Sequence, residues 1–162
     1  MIMGVAGSGK STVGQLLATE LHCAFLDGDL LHPPGNIEKM TRGIPLTDSD
    51  RAPWLAAIHA RIADSFQRAE GLVVACSALK QRYRDTLDRG VANTWVYLKG
   101  SHEMILGRLQ HREHHFMKPG MLASQFADLE EPTNAIVIEI DVEPSVAVRQ
   151  IVSGLPARAQ AS

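Results

Sequence analysis

No uncharged apolar stretch in this chain approaches the roughly 20 residues that a membrane-spanning helix requires, which excludes a helical bilayer protein. Neither sign of charge is in excess: 16 Lys and Arg stand against 18 Asp and Glu, a formal net charge of -2. That balance is too even for a chain that coats duplex nucleic acid or a lipid surface, so any anion binding must be local. Cysteine is nearly absent. Cys23 and Cys76 lie beside apolar strand-like segments, where two thiols read as small core residues rather than a bridge. The start lacks a basic segment followed by an apolar run, because Lys10 interrupts the only candidate; secretion is not indicated and the cytoplasm is expected. There is no internal repeat and no low-complexity segment. What remains is average for a globular chain: 162 residues, 45% hydrophobic and 21% charged. One domain over residues 1–155 is expected, with a flexible tail at 156–162.

The order of apolar patterns predicts an alternating architecture. Met1 to Met3 reads as the stub of a strand, so short that it suggests residues missing upstream. A glycine-rich turn follows, then a helix from Lys10 to about His22 with Val13, Leu16, Leu17 and Leu21 on one face. Cys23 to Asp27 is apolar without alternation, as in a parallel strand covered on both faces. A short helix is expected over Asn36 to Arg42, stopped by Gly43, and a longer one from about Asp48 that buries Trp54, Leu55, Ile58, Ile62 and Phe66. Leu72–Cys76, Thr94–Leu98 and Ala135–Ile140 supply three more strands with helices between them. Five strands alternating with helices imply an α/β fold: a five-stranded parallel sheet between two helical layers, with ligands at the carboxyl ends of the strands.

The polar residues after the first strand are the most informative. Gly4-Val5-Ala6-Gly7-Ser8-Gly9-Lys10-Ser11 matches the G-x-x-x-x-G-K-[ST] pattern in full, between a strand and a helix. Glycines let the backbone curl so that several N–H groups face the phosphates of a nucleotide, and the following helix adds its positive end. Residues 4 to 12, through Thr12, are therefore expected to bind nucleotide. Lys10 would neutralise the β- and γ-phosphates, and the Ser11 hydroxyl would ligate Mg²⁺.

Such a cradle serves switches, binding modules and kinases alike. A guanine-specific switch would show Asn-Lys-x-Asp after a late strand; Lys99-Gly100 and Asp141-Val142 do not fit. An acceptor-phosphorylating enzyme needs a second pocket and cations that close over the transfer. Asp27 and Asp29 flank Gly28 at the end of the second strand, expected beside the cradle, where one could hold Mg²⁺ through water and the other an acceptor hydroxyl. The alternative is that they only shape a turn. Arg108, Arg112, His114, His115 and Lys118 gather around Pro119-Gly120, as in a mobile lid over about 108–122 that closes on a triphosphate; the alternative is an ordinary solvated basic surface. The spacing of His111, His114 and His115 invites a zinc reading, opposed by Arg112 in its midst and by the lack of a completing ligand.

Beyond these residues, Phe25 to Asp29 with His32-Pro33, Asn36 to Met40, and Gly43 to Leu55 form a run of motifs. Cys76 to Lys80 with Tyr83-Arg84, His115-Phe116, Ser124-Gln125, and Leu129-Glu130 with Pro132 continue it. On these the chain resembles, over nearly its whole length, the gluconokinases of the small P-loop carbohydrate-kinase type, relatives of shikimate and adenylate kinases. The resemblance implies a nucleoside-monophosphate-kinase-like fold with a lid and an acceptor-binding helical region at about 30–70. It implies transfer of the γ-phosphoryl of ATP, with Mg²⁺, to the 6-hydroxyl of D-gluconate. A pocket for that acid needs a cation for the carboxylate and acceptors for the hydroxyls. Lys80 and Arg84, four residues apart on one expected helix, would supply cations, with Arg51 adding another; a solvated helix face is the alternative. Asp29 would orient the attacking oxygen or deprotonate it, and Gln125 would join the acceptor site. His32 would touch the substrate or brace its turn. Lys10, Asp29 and Arg112 are the expected catalytic residues, Arg108 and Arg112 the expected lid contacts to nucleotide. The adenine end is expected near Asp141 to Pro144. A homodimer is compatible with the resemblance, although no interface is legible. The rival readings are a sister kinase for shikimate or another small hydroxy acid, and a nucleotide-gated binding module.

Overall fold

The computed structural model describes residues 1–110 and 119–156. Five strands, β1 (Ile2–Met3), β2 (Ala24–Asp27), β3 (Leu72–Ala75), β4 (Val96–Lys99) and β5 (Ile136–Glu139), form one parallel sheet in the order β2-β3-β1-β4-β5. Seven helices among the described residues connect them: α1 (Lys10–Glu20), α2 (Pro34–Thr41), α3 (Asp48–Gln67), α4 (Gln81–Leu87), α5 (His102–Gln110), α6 (Pro119–Asp128) and α7 (Pro144–Gly154). The expected three-layer α/β/α arrangement is present.

Each face of the sheet carries its own core. On one side Val13 and Leu17 of α1 meet Val148 and Ile151 of α7 over Val73, Leu98 and Ile138. On the other, Trp54, Leu55 and Ile58 of α3 and Tyr83 and Leu87 of α4 cover Met3, Val74 and Tyr97. Burial on both faces is why the strands read as continuous apolar runs. Two expected core residues are outside it. Leu16 is 43% exposed because the buried stripe of α1 is Val13, Gly14, Leu17 and Ala18, and Leu16 lies off that face. Phe66 is 58% exposed because α3, 20 residues and about 30 Å long, overruns strands of only four residues.

Local chemistry fixes the segment between β2 and α3. After the C-cap Arg42, Gly43 takes a left-handed φ of 73° and donates to Met40 O, while Ile44 N–H donates to Lys39 O; these bonds satisfy carbonyls at the end of α2. Thr47 and Asp50 then form a reciprocal capping box at the start of α3. The Asp50 carboxylate also takes a 2.7 Å bond from Lys39 Nζ, so the same residue that starts α3 ties it to α2. Those bonds hold the Asp50 carboxyl at about 2, with Lys39 the largest cause.

Candidate active site

The sheet brings the ends of β1, β2 and β3 to one rim, and the site is built there. From β1 the chain turns through Gly4, Gly7 and Gly9, with φ of 146°, 82° and 92°. Gly4 is required sterically as well: a Cβ there would lie 2.8 Å from Leu98 O. Gly9 caps α1 with no side-chain hydrogen bond to the first helical amides, an arrangement suited to an anion at the helix start. Lys10 Nζ donates to Val5 O at 2.9 Å, folding back across the loop it follows.

Asp27 lies beside the cradle as expected, although β3 separates β2 from β1 in the sheet. Contact is made through α1: Ser11 Oγ donates to Asp27 Oδ2 at 2.7 Å, and Asp27 Oδ1 accepts from Asp29 N–H at 3.1 Å. This hydroxyl–carboxylate pair at a helix start consists of hard oxygen donors, and it fits Mg²⁺ that keeps waters and phosphate oxygens as its other ligands. Gly28 between the two aspartates admits no side chain, because a Cβ would lie 2.8 Å from Ala75 O; its carbonyl accepts from Trp54 Nε1 at 2.7 Å.

A cavity of about 710 Å³ opens between the cradle and α2, α3 and α6. Ala6, Gly7, Gly9, Lys10, Ser11 and Thr12 line one wall; Asp29, His32, Trp54, Arg51 and Tyr83 line the other, with Ser124, Gln125 and Asp128 of α6 closing the side. Gln125 joins the two walls, accepting the Ala6 N–H at 2.7 Å through Oε1. A second cavity of about 620 Å³ shares Gly9 and Thr12 with the first and continues past Ser8, Arg108, Ile140, Val142 and Pro144. The segment expected to take the adenine thus borders a cavity that begins at the cradle. Arg108 lies in its wall, donating to Ile140 O.

Two expected acceptor cations are not presented to the cavity as anticipated. Arg84 is buried, 2% exposed, and its guanidinium donates to Ala78 O, Leu79 O, Glu130 O and the Gln81 carboxamide. It braces the turn after β3 and is corrected from substrate ligand to structural residue. The cause is local: Lys80 is the N-cap of α4 rather than a helical residue, and Ala78 has a left-handed φ of 42°, so the four-residue spacing does not put both side chains on one face. Burial also lowers the Arg84 pKa. Lys80 reaches the site indirectly, pairing with Asp128 at 3.0 Å; this hydrogen bond, outweighing desolvation, raises its pKa.

Arg51 does line the cavity. It donates to Tyr83 Oη at 3.2 Å and approaches Asp128 at 3.6 Å. Tyr83 and Asp48 fall inside the sequence motifs without a role of their own there, and Asp128 lies outside them. Tyr83 donates to Asp48, and Arg51, Lys80 and Arg82 lie within 6.0 Å of its ring. Burial and the Asp48 bond push the Tyr83 hydroxyl up. Arg112, His111, His114, His115 and Lys118 lie outside the described residues, and with them most of the expected lid and the zinc reading.

A family model described as shikimate kinase matches residues 6–133. The thermoresistant gluconokinase of Escherichia coli is 49% identical over 147 residues, 87% of this chain and 83% of that protein. Among solved structures, a gluconokinase from Sinorhizobium meliloti superposes with a TM-score of 0.88 at 43% identity, covering 98% of this chain and 91% of its own. A sugar kinase from a Janibacter species reaches 0.91 at 39% identity, covering 99% and 96%. Identity at this level over nearly the full length of each partner extends well past the nucleotide cradle, and the chain therefore belongs to the gluconokinase family.

Proposed function

We propose that this protein transfers the γ-phosphoryl group of ATP to the 6-hydroxyl of D-gluconate, giving 6-phosphogluconate and ADP. The observation that carries the reading is the single cavity with a phosphate cradle on one wall and Asp29, His32 and Arg51 on the other. The glycine-rich loop and the first turn of α1 hold the phosphates, and Lys10 supplies a positive charge to the group in flight. Asp29 accepts the hydrogen bond of the attacking hydroxyl and aligns its oxygen with phosphorus. The new O–P bond forms as the bond to the ADP oxygen breaks, and the hydroxyl proton leaves through Asp29 or water. With a loose transition state, this alignment matters more than early proton removal. Arg51 receives the gluconate carboxylate, exchanging its contact with Asp128.

Mg²⁺, held by Ser11 and through water by Asp27, would offset charge between the β- and γ-phosphates. Arg108, Arg112 and the rest of the segment at about 108–122 are assigned to closure over the triphosphate. The enzyme is expected to work in the cytoplasm, and a homodimer is compatible with it. A coupled assay of ADP release with a panel of acids tests the reading. Release stimulated by gluconate supports it, whereas release with shikimate alone, or with no acceptor at all, replaces it.

A further inference from the structure

We propose that Asn36 fixes His32 in the tautomer with its proton on Nε2, so that His32 meets the acceptor as a hydrogen-bond donor and not as a base. His32 is held on two sides. Its ring stacks on Trp54 with centroids 4.2 Å apart and planes 12° apart, and the indole is pinned through Nε1 to Gly28 O. Nδ1 of His32 lies 3.2 Å from Nδ2 of Asn36, a buried residue of α2.

The same Asn36 nitrogen lies 2.8 Å from the backbone carbonyl oxygen of Asp50. A carbonyl oxygen can only accept, so the atom facing it is the NH₂ nitrogen of the amide and not its oxygen. One amide hydrogen goes to Asp50 O. The other points to His32 Nδ1, which must then carry a lone pair, and the proton of the neutral ring resides on Nε2. Asp50 is itself anchored by the capping box and Lys39, so the orientation of Asn36 is set by the start of α3.

His32 lines the cavity. Among the described residues the only side-chain nitrogen or oxygen sealed from solvent without a partner is Ser8 Oγ. Nε2 has no partner among the described residues and is not sealed in this way, so it retains access to solvent, and His32 forms part of the wall that also carries Asp29 and Arg51. Burial lowers the His32 pKa, opposed by Asp29 and aided by Arg51. The atom opposite Nε2 must accordingly be an acceptor: a hydroxyl lone pair or a carboxylate oxygen of the sugar acid. Asn36 touches no substrate in this scheme and is a positioning residue. The identity of the acceptor rests on the proposed function; the tautomer does not.

Nitrogen NMR of the full chain labelled at histidine reads the tautomer directly. The expected result is an Nε2-protonated His32 in the free protein. Asn36→Asp, whose carboxylate accepts where the amide donated, should move a proton onto Nδ1 and raise the KM for gluconate about tenfold or more, with the KM for ATP changed less than about twofold. A wild-type ring protonated on Nδ1, or an unchanged tautomer in N36D, overturns the proposal. His32→Leu should lose the same affinity, and His32→Gln, which restores an N–H near the Nε2 position, should recover most of it; equal losses in the two would overturn the donor role. If gluconate proves not to be the acceptor while the Nε2 proton is found, the proposed function fails and the tautomer assignment stands.

Discussion

The two walls of the main cavity are made in different ways. The phosphate wall comes from one short stretch of chain between Ala6 and Thr12, shaped by left-handed glycines and proposed to act through its backbone amides. The acceptor wall is assembled from five pieces: the 3-10 turn Gly28–Leu31 with His32, then α2, α3, α4 and α6, joined by side-chain bonds such as Asn36 to Asp50, Arg51 to Tyr83 and Lys80 to Asp128. A backbone-built site tolerates little change in the chain that makes it. A side-chain-built site can exchange one charge partner for another, and Asp128 already pairs with both Lys80 and Arg51, the cation proposed to receive the substrate carboxylate. The comparison teaches that phosphate chemistry here depends on local conformation, and acceptor choice on long-range packing.

Breaking the phosphate wall should have the largest effect. Lys10→Ala removes a charge needed at transfer, about 4 kcal/mol, and should lower kcat roughly a thousandfold in steady-state assays with the fold intact by circular dichroism. Next comes Arg84→Ala. It removes the donor shared by the buried Ala78 O and Leu79 O and the part-buried Glu130 O, so it should lower unfolding free energy by about 3 kcal/mol or more in urea titration. A folded R84A enzyme with its stability intact and only its gluconate KM raised would return Arg84 to the acceptor wall. Arg51→Ala should do what Arg84→Ala does not: raise the KM for gluconate about tenfold with little change for ATP.

The smallest effect is a pH dependence. His32 has a lowered pKa in the folded state, so below its unfolded value of about 6.5 the unfolded chain binds a proton that the folded one refuses. Its contribution to stability is complete above that pH, falls as pH drops toward the folded value and levels off below it. Denaturation of wild type and His32→Gln across pH 5 to 8 should show a steeper acid loss in the wild type.

The same contrast explains what could be read from residues alone. The alternation of apolar strands and amphipathic helices gave the α/β class, because both faces of a parallel sheet are buried. The cradle is contiguous, so its spelling contains its geometry. Asp29, His32 and Arg51 were legible through motifs and strand-end position, and the structure brings them to one wall. Arg84 was misread because a spacing rule assumes that both residues are helical, and Lys80 is a cap. Asp128 carried no local signal: its meaning depends on α6 returning to α3 and α4 far away in sequence. Asn36 lay inside a recognised motif, but its role follows from two distances that no one-dimensional pattern encodes.

The most direct test of phosphoryl transfer between the two walls is identification of the product by NMR, using carbon-labelled D-gluconate with ATP and Mg²⁺. The account predicts phosphorus coupling at C6 and its loss in Lys10→Ala. A phosphoester at another carbon, or gluconate returned unchanged while ATP is consumed, would contradict it.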